Sequence, residues 1–180
     1  MLYAFGFDRI GVVVSDLYFI DPDPEPGQEG AEHGVRLELR MLAEGALKGS
    51  IYSARPISID RPVWRVDLLE SVAGPTGSFN RTHHHPRFDG WEPGRRVFVR
   101  ELSADPLKWL GQKLSDLPGV LADAGVPEAE VAPTDAARLR DCVPQILEVV
   151  ERLLNSVWSG GLGQPPADGA ELTEARVSWL

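Results

Sequence analysis

At 180 residues, with 43% hydrophobic and 25% charged side chains, the chain has the composition of a globular protein and is long enough to build its own core, so one domain over residues 1–180 is expected. A net charge of -9 excludes broad binding to nucleic acid or to anionic membrane surfaces, and favours a basic protein partner. The single cysteine, Cys142, cannot close an internal disulfide, and no apolar run nears the about 20 residues of a membrane span or forms a signal peptide, so a cytoplasmic location is expected.

The front of the chain, residues 1–102, reads as strand-rich. Ile10 to Ile20 is β-branched and aromatic, and Val12, Val13 and Val14 put apolar groups on both faces, which predicts a central strand. Asp21 to Gly34 has no periodicity, three prolines and many acids, and reads as an exposed, mobile connector. Val35, Leu37, Leu39 and Met41 then alternate with Arg36, Glu38 and Arg40, the pattern of a half-buried strand with one wet face.

After a turn at Glu44-Gly45 and Lys48-Gly49, a strand is predicted over Ile51 to Ile59, with Pro56 marking an edge or a break. In Val63 to Leu69, Trp64, Val66 and Leu68 share one face, while Arg65 and Asp67 share the other with Val63 and Leu69. Gly74-Pro75-Thr76-Gly77 is a turn, Phe79 to His85 a further strand, Asp89 to Gly94 a loop, and Arg96 to Leu102 a last strand.

Residues 103–158 read as helical. Asp105-Pro106 is an N-cap with proline in the first turn, and Leu107, Leu110 and Leu114 form a stripe. Asp116 and Pro118 start a short helix that ends near Gly125. Thr134 is the expected cap of a long helix whose apolar face runs through Leu139, Cys142, Val143, Ile146, Val150, Leu153 and Val157. Pro144 is expected to kink or divide it, and Gly160-Gly161 to stop it. Residues 159–180 form a linker and a docking tail carrying Leu172, Val177, Trp179 and Leu180. Strands followed by helices predict an α+β fold: a curved, mostly antiparallel sheet of five or six strands with C-terminal helices on one face. The apolar face of residues 139–157 is wide enough to cover a sheet, and could also pair with its twin in a homodimer.

Chemistry concentrates in Arg81-Thr82-His83-His84-His85-Pro86-Arg87-Phe88-Asp89. On a strand, His83 and His85 share a face with Arg81, and His84 points away. Two imidazoles so spaced can act as an acid–base pair, since imidazole titrates near neutrality, with Arg81, Arg87, Arg95 and Arg96 as the anion-binding concentration and Trp91 as a stacking platform or a plug. They can also hold a divalent metal if a third ligand joins them, and Asp67, Asp89, Glu92 and His33 are the candidates. The His-x-His spacing resembles that of the cupins, but that pattern wants a glutamate soon after the second histidine. Glu92 comes seven positions beyond His85, so the chain is not assigned there. Arg65 and Asp67 are expected either to orient a histidine or to form cross-strand ion pairs.

Phosphate-cradling glycine loops, a Gly-x-Ser-x-Gly elbow and His-Glu-x-x-His are not found in the sequence. Three readings follow, in this order. The first is a non-enzymatic partner-binding or regulatory protein, whose histidines would be scattered and exposed. The second is a hydrolase-like enzyme that uses His83 and His85 on a phosphorylated substrate. The third is a metal-dependent enzyme or metal-binding module at the same place, with both imidazoles converging on a carboxylate. No cofactor other than a divalent metal is indicated.

Overall fold

The alternation of residues 35–41 sets the frame. In a computed structural model that describes residues 1–166, this segment is the middle of a long strand. Strands β1 (Leu2–Gly6), β2 (Ile10–Ile20), β3 (Ala31–Glu44), β4 (Ile57–Ser71) and β5 (His83–His85) form one sheet in chain order, with every neighbouring pair antiparallel. A second, two-stranded ribbon joins β6 (Phe88–Asp89) to β7 (Glu92–Pro93). Four helices follow: α1 (Arg100–Ala104), α2 (Pro106–Ser115), α3 (Leu117–Ala124) and α4 (Asp135–Trp158). The fold is α+β. Among the described residues, no helix is long and apolar enough to cross a membrane.

Register places Val12, Leu39 and Trp64 in one row across the sheet, and Val14, Leu37, Val66 and His84 in the next. These rows are buried with Leu110 and Leu114 of α2, Leu117 and Leu121 of α3, and Leu139, Ile146, Val150 and Leu153 of α4. Each such side chain contributes about 1.5–3 kcal/mol when buried. That scale explains why Pro144 does not divide α4. A helix-interior proline costs about 3 kcal/mol, whereas α4 buries eight apolar side chains across its 24 residues. The apolar face of α4 packs into the core beneath the sheet.

Several elements differ from the sequence pattern. β1 was not foreseen; it pairs along β2 and lays Tyr3 and Phe5 against the core. The strand expected over Ile51 to Ile59 begins only at Ile57, and Ile51 and Tyr52 stand exposed at the hairpin tip. β4 then continues through Pro62, where the pairing with Arg40 is irregular; such a bulge tolerates a residue without an N–H. Of Phe79 to His85 only the three histidines pair, because Phe79 has left-handed φ (47°) and breaks the extension. Arg96 to Leu102 is not a strand. Val97 makes a lone bridge to His84, and α1 begins at Arg100 so that Leu102 alone inserts into the core.

Helix caps divide similarly. Asp105 and Asp116 accept from Lys108 N and Gly119 N, and Gly125 (φ 74°) closes α3, as expected. Thr134 sits at the N-cap position of α4 but its side chain caps no helix N–H: its hydroxyl turns to Asp8, while the fully buried Asp135 accepts from Ala132 N, Asp8 N and Arg9 N outside the helix. Leu162 packs on the core and Gly163 N donates to Asp16 Oδ2, so the linker starts docked. The apolar tail residues Leu172, Val177, Trp179 and Leu180 lie outside the described residues.

Candidate functional site

The second face of the sheet is not wet. β3 offers Arg36 and Glu38, β4 offers Arg65 and Asp67, and β5 offers His83 and His85. Register sets Arg36, Asp67 and His83 in one row, and Glu38, Arg65 and His85 in the next. Asp67, His83 and His85 are buried, and Arg36, Glu38 and Arg65 are nearly so. The cover is the segment 86–98. Phe88 lies 5.7 Å from the Arg65 guanidinium and 6.5 Å from the His85 ring, and Phe98 lies 5.5 Å from the His83 ring. Gly94 lets this cover close, since a Cβ there would meet Arg87 O at 2.9 Å.

Both imidazoles are anchored from behind. His83 Nδ1 lies 2.8 Å from Arg81 O, and His85 Nδ1 lies 2.6 Å from Gly94 O. A carbonyl only accepts, so each Nδ1 carries the proton and each Nε2 presents a lone pair; this tautomer is assigned from the hydrogen-bond network. The two Nε2 atoms face Asp67 Oδ2 at 3.5 Å and 3.7 Å. Burial pushes His83 downward and His85 to about 4, with Arg65 adding to the effect on His85, so both are neutral at neutral pH.

Asp67 is held from the other side. Arg36 donates from Nε to Oδ1 at 2.7 Å and from Nη2 to Oδ2 at 3.2 Å. Burial alone would raise this carboxyl, but Arg36, Arg65 and His83 hold it far below the usual carboxylate range, so it is ionised. Arg65 Nη2 lies 3.0 Å from His85 Nε2. Its Nε lies 3.2 Å from Asp67 Oδ2 but makes no hydrogen bond. Of the two expected roles for Arg65 and Asp67, the geometry contains both: cross-strand ion pairs, Asp67 with Arg36 at 2.7 Å and Arg65 with Glu38 at 3.9 Å, and direct contact with the histidines. Among the described residues, Asp67, His83 and His85 form one group whose ligand atoms all lie within 4.8 Å of one another.

A second polar cluster adjoins this one. Glu32 is 0% exposed, and neither carboxylate oxygen has a hydrogen-bond partner; Arg81 Nε and Arg96 Nη1 approach Oε1 at 3.7 Å and 3.8 Å. Burial raises Glu32 to about 7 against the pull of Arg96 and Arg81. The same two arginines reach the connector after β2. Arg96 Nη2 donates to Asp21 at 2.8 Å, and Arg81 donates to Gly27 O and, at 3.4 Å, to Glu29 O. The connector is mostly exposed, as expected, but it is tied at Asp21, Gly27 and Glu29 by these arginines, and its last residues, 31–34, belong to β3.

The other sequence candidates are dispersed. Arg87 Nε donates to Asp123 O at the end of α3. Arg95, Asp89 and Glu92 are exposed. Trp91 is 60% exposed with Arg40 5.2 Å from its ring centre, so it plugs nothing. His84 packs on the helix side between Trp64 and Trp109, and His33 shares that side near Glu70, at 3.7 Å. The expectation of scattered, exposed histidines does not hold for His83, His84 and His85, all of which are buried. Sequence reasoning missed Arg36, Glu38 and Glu32. Their shared parity on β3 was legible, but their distance from Asp67 and Arg81 depends on register.

Compared with known proteins, the chain matches no family model, no curated protein and no solved structure. Fold and site together define an α+β protein with a buried aspartate–histidine cluster, braced by arginines, on the helix-free face of its sheet.

Proposed function

We propose that the protein binds one divalent metal ion through Asp67 Oδ2, His83 Nε2 and His85 Nε2. The observation that carries this reading is the convergence of three acceptor atoms whose backing is already complete. Both Nδ1–H groups are committed to backbone carbonyls, the arrangement that orients histidine ligands in metal sites. Two lone pairs and a carboxylate oxygen facing each other repel, and a cation between them removes that repulsion. Burial also keeps both imidazoles in the neutral form that ligates.

Two nitrogens and one oxygen suit zinc, iron, manganese or cobalt. Three protein ligands leave a coordination position open, as in catalytic rather than structural sites, and a bound ion there would polarise water or a substrate oxygen. Arg36 would set the Asp67 carboxylate, and Arg65 would have to release His85 Nε2. An acid–base pair acting without metal is the second reading, supported by Arg65 beside His85. The burial of the histidines lends no weight to a plain partner-binding protein.

Metal content of untagged protein, purified without a metal column, tests the proposal. About one ion per chain in wild type, lost in His83→Ala/His85→Ala with the far-ultraviolet circular dichroism unchanged, is the expected result. A wild-type protein that neither retains metal nor takes up zinc, manganese or cobalt overturns it.

A further inference from the structure

Resting on the metal reading, we infer that the open position of the Asp67–His83–His85 centre takes a phosphoryl oxyanion, with Arg65 as its clamp. Charge balance comes first. Beside the triad stand two guanidiniums, Arg36 and Arg65, against the Asp67 carboxylate, while Glu38 is already paired by Arg40 at 2.6 Å and lies 3.9 Å from Arg65. These groups alone leave the covered face with a net positive charge. A divalent cation adds two more where little water screens them, which is unfavourable without a counter-charge. A dianionic phosphoryl group on the ion returns the site to its starting charge.

The second argument concerns Arg65 itself. The metal must take the His85 Nε2 lone pair that Arg65 Nη2 now contacts at 3.0 Å. Arg65 Nε is already buried without a hydrogen-bond partner. A guanidinium displaced from His85 therefore has several donors to satisfy in a covered setting, and leaving them unmade is costly. The pseudo-tetrahedral oxygens of a phosphoryl group can bind the ion with one oxygen and the planar fork with two others, a geometry that suits arginine and that a carboxylate cannot match while also ligating the metal. The neighbouring cluster adds no excess negative charge, since Arg81 and Arg96 stand against Asp21 and Glu32.

The test titrates cobalt(II) into the full chain with no added anion, with inorganic phosphate and with acetate, reading the visible absorption of the bound ion. Wild type is expected to bind cobalt at least about tenfold more tightly in phosphate and almost unchanged in acetate. Arg65→Ala is expected to bind cobalt more tightly than wild type without anion and to lose the phosphate effect. Arg65→Lys, which keeps the charge but not the fork, serves if the alanine variant fails to fold, and should lose most of the effect. Cobalt affinity that phosphate does not change overturns the inference while leaving the metal site in place. Acetate acting as strongly as phosphate overturns the phosphoryl assignment. No cobalt uptake under any condition overturns the metal reading beneath both.

Discussion

Arg36 grips Asp67 from the neighbouring strand with both ends of its fork, at 2.7 Å and 3.2 Å, and turns the carboxylate's remaining valence toward His83 and His85. Removing this grip leaves a buried carboxylate short of donors. Arg36→Ala should therefore destabilise the fold by about 3–5 kcal/mol. Urea unfolding at neutral pH measures it, and a loss below about 1 kcal/mol would put Arg36 in the class of ordinary surface pairs.

Stability should rise with pH between about 4 and 6.5. Burial lowers His84 and His85 from 6.5 to about 4, helped by Lys113 and Arg65 respectively, and lowers His83 as well. In that window the unfolded chain binds protons that the folded chain excludes, so stability is fully present above 6.5 and is lost as pH falls through the window. Glu32 acts oppositely: raised to about 7 mainly by burial, it favours the folded state at low pH and loses that contribution between its usual 4.5 and 7. Three histidines outweigh one glutamate, and Glu32→Gln should steepen the rise. Thermal melts across pH 4–8 check both slopes, and a flat profile would contradict the burial of these groups.

His84 separates packing from chemistry. It lies 5.2 Å from the Trp109 ring and 6.2 Å from the Trp64 ring, on the core side of β5. His84→Ala should cost about 2–4 kcal/mol, as for a large-to-small core change, and alter tryptophan fluorescence, yet leave metal uptake unchanged. His83→Ala should do the reverse with respect to metal. Equal effects of the two substitutions on metal uptake would remove the face distinction.

Asp135 ties the start of α4 to the β1–β2 turn through Asp8 N and Arg9 N, at 2.9 Å and 3.2 Å, and also accepts from Ala132 N at 2.8 Å. Asp135→Ala orphans these donors and should cost about 3 kcal/mol or more, whereas Thr134→Ala, which removes no helix cap, should cost about 1 kcal/mol or less. Chemical denaturation of the two variants side by side measures the difference, and equal losses would contradict the anchoring role of Asp135.

Much of this architecture could be read from local spacing. The alternation in β3 and β4, the caps at Asp105, Asp116 and Gly125, and the stripe of α4 all depend on residues within a turn or a pleat of each other, where geometry is set by the backbone itself. That is why His83 and His85 fall on one face in the sequence, while Asp67 is only one of four candidates there for a third ligand, with Asp89, Glu92 and His33. The long-range facts are of another kind. Arg36 meets Asp67 across 31 residues of chain, Asp8 meets Asp135 across 127, and segment 86–98 turns a charged strand face into an interior. Local pattern can say that Arg36, Glu38 and Arg40 leave the core. Only register, and the loop that closes over them, decides that they enter a second, polar interior, because pairing energy is earned by strands whose order the periodicity of any one of them does not contain.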